Sequence, residues 1–154
     1  MNARLDLMAS PVAARTMKHL IAAGKALADS TLPFATQELV KLRASQINGC
    51  IDMHTKDAAA AGETAVRLHL VAAWREATVF TDAERAALEL TEQGTRIADA
   101  AGGVTDEAWA NAAKHYDEEQ LAALVCTIAV INAFNRGNVM IQQPAGNYQP
   151  GQFA

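Results

Sequence analysis

Helix-start signals recur along this chain, and they restrict what it can fold into more than any other feature. Ser10-Pro11 reads as an N-cap followed by proline at the first helical position. Thr81-Asp-Ala-Glu84 is a capping box, in which a hydroxyl and a carboxylate satisfy each other's orphan N–H groups. Thr105 caps a further segment, and Asp117-Glu-Glu-Gln120 is a start signal of the same kind. The predicted helices run from Pro11 to about Asp29, from Pro33 to Asn48, from about Cys50 to Ala61, and briefly around Thr64 to Trp74. They continue from Thr81 to about Ala100, from Thr105 to roughly His115, and from Glu118 to about Met140. Gly62 closes the third, and Gly102-Gly103 breaks the chain. No strand alternation, internal repeat or interdomain linker is visible. The expected fold class is all-α: one multi-helix, oligomeric bundle over 1–142, with an extended or disordered tail over 143–154.

Composition agrees with that reading and narrows the partners. Apolar residues make up 51% of the 154 residues and aromatics only 5%, which suits closely packed helices. A chain of this length buries about two thirds of its unfolded surface as one domain. The net charge of −4 and the scattered Lys and Arg give no footprint for nucleic acid. The first residues lack the apolar segment of a signal peptide, and the longest apolar run, Leu121 to Ile131, is far below the ~20 residues needed to span a bilayer. A cytoplasmic protein with no membrane partner is expected. Two cysteines 76 positions apart form no disulfide framework and suit a reducing compartment.

Glu38, Cys50 and His54 are the residues at which chemistry is expected. Cys50 and His54 are four apart, which on a helix puts them on one face a turn from each other. Asn48-Gly49 just before Cys50 signals a turn and a new helix start. A thiol there feels the positive end of the helix dipole, and an imidazolium beside it would favour the thiolate further. Glu38, twelve residues upstream, belongs to a preceding helix that folds back beside the thiol, where a carboxylate could fix the histidine tautomer and pass protons.

The stretch ELVKLRASQINGCIDMHTKDA resembles the motif of the alkylhydroperoxidase D-like branch of the carboxymuconolactone decarboxylase family: Glu, eleven residues, Cys-x-x-Cys, three residues, His. Glu38 and Cys50 have the spacing of the glutamate and the first cysteine, whereas Cys50 and His54 have that of the second cysteine and the histidine. The two cysteines have collapsed into one, and three residues of the pattern are absent. Losing three residues at a helix start rotates the rest of the helix by about 300° and shortens it by ~4.5 Å, so the histidine face is roughly kept. WREATVFTDAERAALELTE and EEQLAALVCTIAVINAFNR also look like downstream helices of the family, so the resemblance covers roughly residues 10 to 142.

The resemblance implies a thiol peroxidase. Cys50 attacks a hydroperoxide, His54 activates it, Glu38 relays protons, and an external thiol or dithiol stands in for the absent resolving cysteine. It also implies trimers or hexamers built on the long C-terminal helices, and no cofactor. Two other readings compete: a lyase like the decarboxylases of the family's name, needing His54 and Glu38 but not Cys50, and a non-catalytic oligomeric scaffold with an unreactive Cys50.

Other residues read as structural. Glu38 taken alone is a solvated helix acid, and Cys126, in LVCTIAV, is a small buried apolar group. His19, His69 and His115 have no acid or thiol at an informative spacing. Trp74, Arg75 and Glu76 read as helix-end packing with a surface pair. Asn132, Asn135 and Arg136 form a polar patch that lines an interface or marks the helix emerging into water. Cys50, Asp52 and His54 do not converge on one helix face, so no metal is expected.

Overall fold

A computed structural model describes residues 2–100 and 102–150, and among them all regular structure is helical. The helices are α1 (Pro11–Ala28), α2 (Phe34–Asn48), α3 (Asp52–Ala60), α4 (Ala65–Leu70), α5 (Asp82–Thr95), α6 (Asp106–Ala113) and α7 (Glu118–Met140), with one 3-10 turn at Val71–Ala73 after α4. The start signals work as the sequence implies. The Ser10, Thr81, Thr105 and Asp117 side chains each accept from the N–H three residues on, and both capping boxes, Thr81 with Glu84 and Asp117 with Gln120, are closed. Asp29 is the C-cap of α1.

Helices α2 and α5 form the partition of the bundle. On one side Val40, Ala87 and Leu90 pack with Leu32, Tyr116, Leu124 and Ile128. On the other, Leu39, Leu42 and Leu88 pack with Ala58, Leu68, Trp74 and Phe80. Both faces of α2 are therefore covered, and Thr36, Gln37, Glu38, Leu39 and Val40 are buried in succession. A helix buried all round shows no single apolar stripe. Small residues let the axes approach: a Cβ added at Gly94 of α5 would lie 3.3 Å from Ile128 Cγ2 of α7.

Three details depart from expectation. Helix α5 stops at Thr95, not near Ala100; residues 96–99 are all exposed, so a further turn would bury nothing. Helix α3 begins at Asp52, leaving Cys50 just outside it. Cys126 is exposed, on a face of α7 shared with Ala122, Val125, Ala129, Ala133 and Met140. Apart from Thr127 the sequence around Cys126 is apolar, so it carries no clear mark of which face meets the core. By length and composition α7 could cross a membrane, but in the bundle it packs on α1, α2 and α5.

The two ends of the described chain are tied down without helix or strand. Arg4 donates its backbone N–H to the Ile141 carbonyl at 2.7 Å. Residues 143–150 run back across α3: Gly146 N–H donates to Asp52 Oδ2 at 2.6 Å, Lys56 Nζ donates to the carbonyls of Gly146 and Tyr148 at 3.0 Å each, and the Tyr148 hydroxyl donates to Asp57 Oδ1 at 2.8 Å.

Candidate active site

Cys50 lies in the corner between α2 and α3. Gly49 takes the left-handed conformation at φ 76°, which closes α2: its N–H reaches the Gln46 carbonyl, and the Cys50 N–H reaches the Ser45 carbonyl at 2.8 Å. That pair of bonds is a Schellman motif, and glycine is the residue that adopts its left-handed position without strain. The corner presents the Cys50 side chain, half-buried, immediately before the N-terminus of α3, whose N-cap position, Ile51, supplies no side-chain cap. The unpaired N–H groups at that end carry partial positive charge.

His54, on the first turns of α3, is 9% exposed, and neither ring nitrogen has a hydrogen-bond partner. Burial, with the like charge of Lys41 nearby, pushes its pKa down to about 3. His54 is therefore a neutral imidazole at pH 7, not the imidazolium that the sequence suggested beside Cys50. Desolvation disfavours the charged ring, and no carboxylate touches it to restore the balance.

Glu38 is 5% exposed, not solvated, and its Oε1 pairs with Lys41 Nζ at 2.7 Å while Oε2 has no partner. It lines a hollow of about 190 Å³ walled by Phe34, Ala35, Ala58, Ala61 and Glu63. The structure thus places Glu38 on α2, His54 on the facing α3 and Cys50 in the corner between them, but no hydrogen bond links the three to one another. Lys41, which the sequence offered only as an ordinary helix neighbour of Glu38, stands near both acid and imidazole.

A second group escapes the sequence pattern. Three asparagines of α7, spaced by three, meet the end of α2 and the corner beyond it. Asn48 Nδ2 donates to Asn132 Oδ1 at 2.9 Å, Ser45 Oγ donates to Asn135 Oδ1 at 3.2 Å, and Asn138 Nδ2 donates to Cys50 Sγ at 3.6 Å. Asn135 is 1% exposed. Of the patch that the sequence marked at Asn132, Asn135 and Arg136, the two asparagines form a seam between helices, whereas Arg136 is exposed. The seam's spacing-of-three continuation to Asn138 is the signal that would have found the third member.

A larger hollow, about 210 Å³, lies elsewhere, beside Trp74, Arg75, Arg43 and Glu92. There Glu92 accepts from Arg43 through one oxygen and from Arg75 through the other. Arg75 also stacks 4.3 Å over the Trp74 ring, so these residues do more than pack a helix end. No group of three His, Cys, Asp or Glu among the described residues is placed to hold a metal.

A buried acid and a buried histidine on two packed helices, with a thiol at their junction, agree with the motif resemblance, and the carboxymuconolactone decarboxylase family model matches residues 11–93. The chain belongs to the carboxymuconolactone decarboxylase family. Within it, the alkylhydroperoxidase D-like branch is the one its structural relatives represent. A protein of unknown function from Agrobacterium tumefaciens, a candidate AhpD antioxidant defence protein, superposes with a TM-score of 0.86 at 31% identity, covering 96% of this chain and 100% of that one. YdfG of Bacillus subtilis (strain 168), itself uncharacterised, is 40% identical over 139 residues, 88% of this chain and 93% of that protein. The same fold carries the debrominase Bmp8, with a TM-score of 0.78 at 18% identity over 92% of this chain and 75% of that one.

Proposed function

We propose that this family member is a one-cysteine thiol peroxidase that reduces organic hydroperoxides. The observation that carries the reading is the setting of Cys50: a half-buried sulfur at an uncapped helix start, accepting a hydrogen bond from Asn138. The thiolate is the nucleophilic form of a cysteine. The thiolate attacks one peroxide oxygen, the O–O bond breaks, and the alkoxide leaves with a proton as an alcohol. Cys50 is then a sulfenic acid. One external thiol condenses with it to a mixed disulfide and releases water; a second frees the Cys50 thiol and leaves as a disulfide. His54 acts as a neutral donor and not as a cation. A buried neutral imidazole is a weak base, so the Cys50 proton leaves to solvent, and the open ring N–H of His54 hydrogen-bonds the departing alkoxide, which takes its proton from water. Glu38, shared with Lys41, supplies protons from the open side.

Cys126 cannot serve as resolving residue from its place on the outer face of α7. That apolar face is instead a surface for a second copy of the chain, and a trimer or hexamer through α7 is part of the proposal; light scattering that reports a monomer at micromolar concentration removes it.

Peroxide treatment in the absence of thiol should leave a sulfenic acid at Cys50 that dimedone traps, and turnover should require added thiol. Cys50→Ser should abolish hydroperoxide consumption and Cys126→Ser should leave it largely intact. A Cys50→Ser protein as active as the parent would end the peroxidase reading in favour of the lyase. A Cys50 that neither alkylates nor oxidises would favour the scaffold.

A further inference from the structure

The asparagine seam ends on the sulfur itself. We propose that Asn138 is a catalytic residue of the Cys50 site: its side-chain amide holds Sγ in place and stabilises the thiolate up to the moment of attack. This rests on Cys50 being the reactive thiol of the proposed peroxidase.

The geometry supplies the first reason. Asn138 Nδ2 lies 3.6 Å from Sγ, a hydrogen-bonding distance for sulfur, and it is the one side-chain hydrogen bond to Cys50 among the described residues. A donor to sulfur gains when the sulfur ionises, since a bond to a charged acceptor is roughly twice as strong as one between neutral groups. The bond therefore favours S⁻ over S–H.

The second reason is that Asn138 is fixed. Helix α7 ends with Gln142 in the left-handed conformation at φ 54°, and the Gln143 N–H closes back on the Asn138 carbonyl at 2.9 Å. Arg4 holds the adjoining Ile141 carbonyl at 2.7 Å. One and two turns earlier, Asn135 and Asn132 bind Ser45 and Asn48, which set the register of α7 on α2. An amide braced in this way loses little freedom when it binds the sulfur.

The third reason is that the neighbouring charges are engaged elsewhere or turned to solvent. On α3, Asp52 pairs with Lys56 at 2.9 Å, and Asp57 accepts from Tyr148. On α2, Glu38 pairs with Lys41. On α7, Arg136 is exposed. His54 is neutral and its ring nitrogens bind nothing. Asn138 takes the part that an imidazolium or a lysine plays beside other reactive thiols.

The test is peptide-resolved iodoacetamide alkylation of Cys50 in the full chain between pH 6 and 9, without peroxide. Asn138→Ala should slow alkylation at pH 7 by about tenfold, the effect of losing one hydrogen bond to a charged group. Its rate should converge with the parent's at high pH, where the thiol is ionised without help. Asn138→Asp, which keeps the shape but opposes negative charge, should slow it further at pH 7. Val139→Ala, at the exposed position next along α7, should leave the pH profile unmoved; a merely structural Asn138 would lose stability on substitution without moving the profile. Parent-like profiles for both Asn138 variants, or faster alkylation of Asn138→Ala at pH 7, overturn the proposal. The second result would mean that the amide accepts from S–H. If the profiles shift as expected but the protein consumes no hydroperoxide, the peroxidase reading fails and the role of Asn138 stands.

Discussion

Helix α2 carries two buried polar clusters that have been settled in opposite ways. Toward α5, Arg43, Glu92 and Arg75 complete one another, so that each oxygen of the carboxylate has its own guanidinium. Burial alone would raise the Glu92 pKa, yet the two guanidiniums beside it hold it below the usual carboxylate value. Toward α3, Glu38 has one oxygen bound and one free, and His54 has both nitrogens free. A buried polar atom without a partner costs the fold about 1–3 kcal/mol. The first cluster therefore supports the molecule, while the second is carried at its expense. Arg43 Nε, Trp74 Nε1, Gln37 Oε1 and Asn135 Nδ2 also lack partners, so what sets the α2–α3 face apart is that its unpartnered atoms belong to an acid and an imidazole on the helices flanking the thiol.

The contrast makes predictions that differ in sign as well as size. Glu92→Ala, which leaves Arg43 buried without its counter-charge, should cost about 3–5 kcal/mol in urea denaturation. Cys50 alkylation in the folded fraction should not change. A loss below about 1 kcal/mol would remove the supporting role from the cluster.

The next effect is a pH dependence. The unfolded chain protonates His54 near pH 6.5, and the folded chain only near 3, so acid favours the unfolded state between those values. Stability should fall by about 1.4 kcal/mol for each pH unit below 6.5. His54→Leu should remove that slope between pH 5 and 6.5 and, at pH 7, match or exceed the parent's stability while losing the proposed hydroperoxide reduction. A His54→Leu protein with the parent's slope would contradict the neutral, unpartnered imidazole. Glu92 acts at lower pH: its folded pKa is depressed, so its contribution is present above the ordinary carboxylate value and lost as pH falls below it.

The smallest expected effect belongs to Lys41→Met. The Lys41–Glu38 pair is part-exposed on the lysine side, and its loss leaves the buried Glu38 carboxylate without its one partner, which should cost about 1–3 kcal/mol. Freed from that charge, His54 should titrate at higher pH, readable by NMR of the imidazole protons. An unmoved His54 would show that Lys41 plays no part in keeping it neutral.

How much of this was written in the sequence varies with the kind of interaction. Helix starts were legible because a cap is local: Ser10, Thr81, Thr105 and Asp117 each act within three residues. The end of α5 was not, because what stops it is the lack of anything to pack on beyond Thr95. The outward face of α7 was hidden by uniformity, since apart from Thr127 the residues around Cys126 are apolar. Glu38, Cys50 and His54 were nameable from spacing, and the structure brings their helices together. The state of His54 was not, because its burial and the nearness of Lys41 depend on how α3 lies on α2. Asn138 was missed because it meets Cys50 across 88 residues of chain.

The hold of the tail on α3 has a practical side. Asp52, Lys56 and Asp57 grip residues about ninety positions away, starting two residues beyond the thiol. Trimming the carboxyl end by an exopeptidase past Tyr148, or fusing a tag close behind it, is therefore an edit to the surroundings of Cys50. Preparations that differ only at that end should differ in thiol reactivity, and an amino-terminal tag that spares Arg4 is the safer way to purify the protein for any measurement of it.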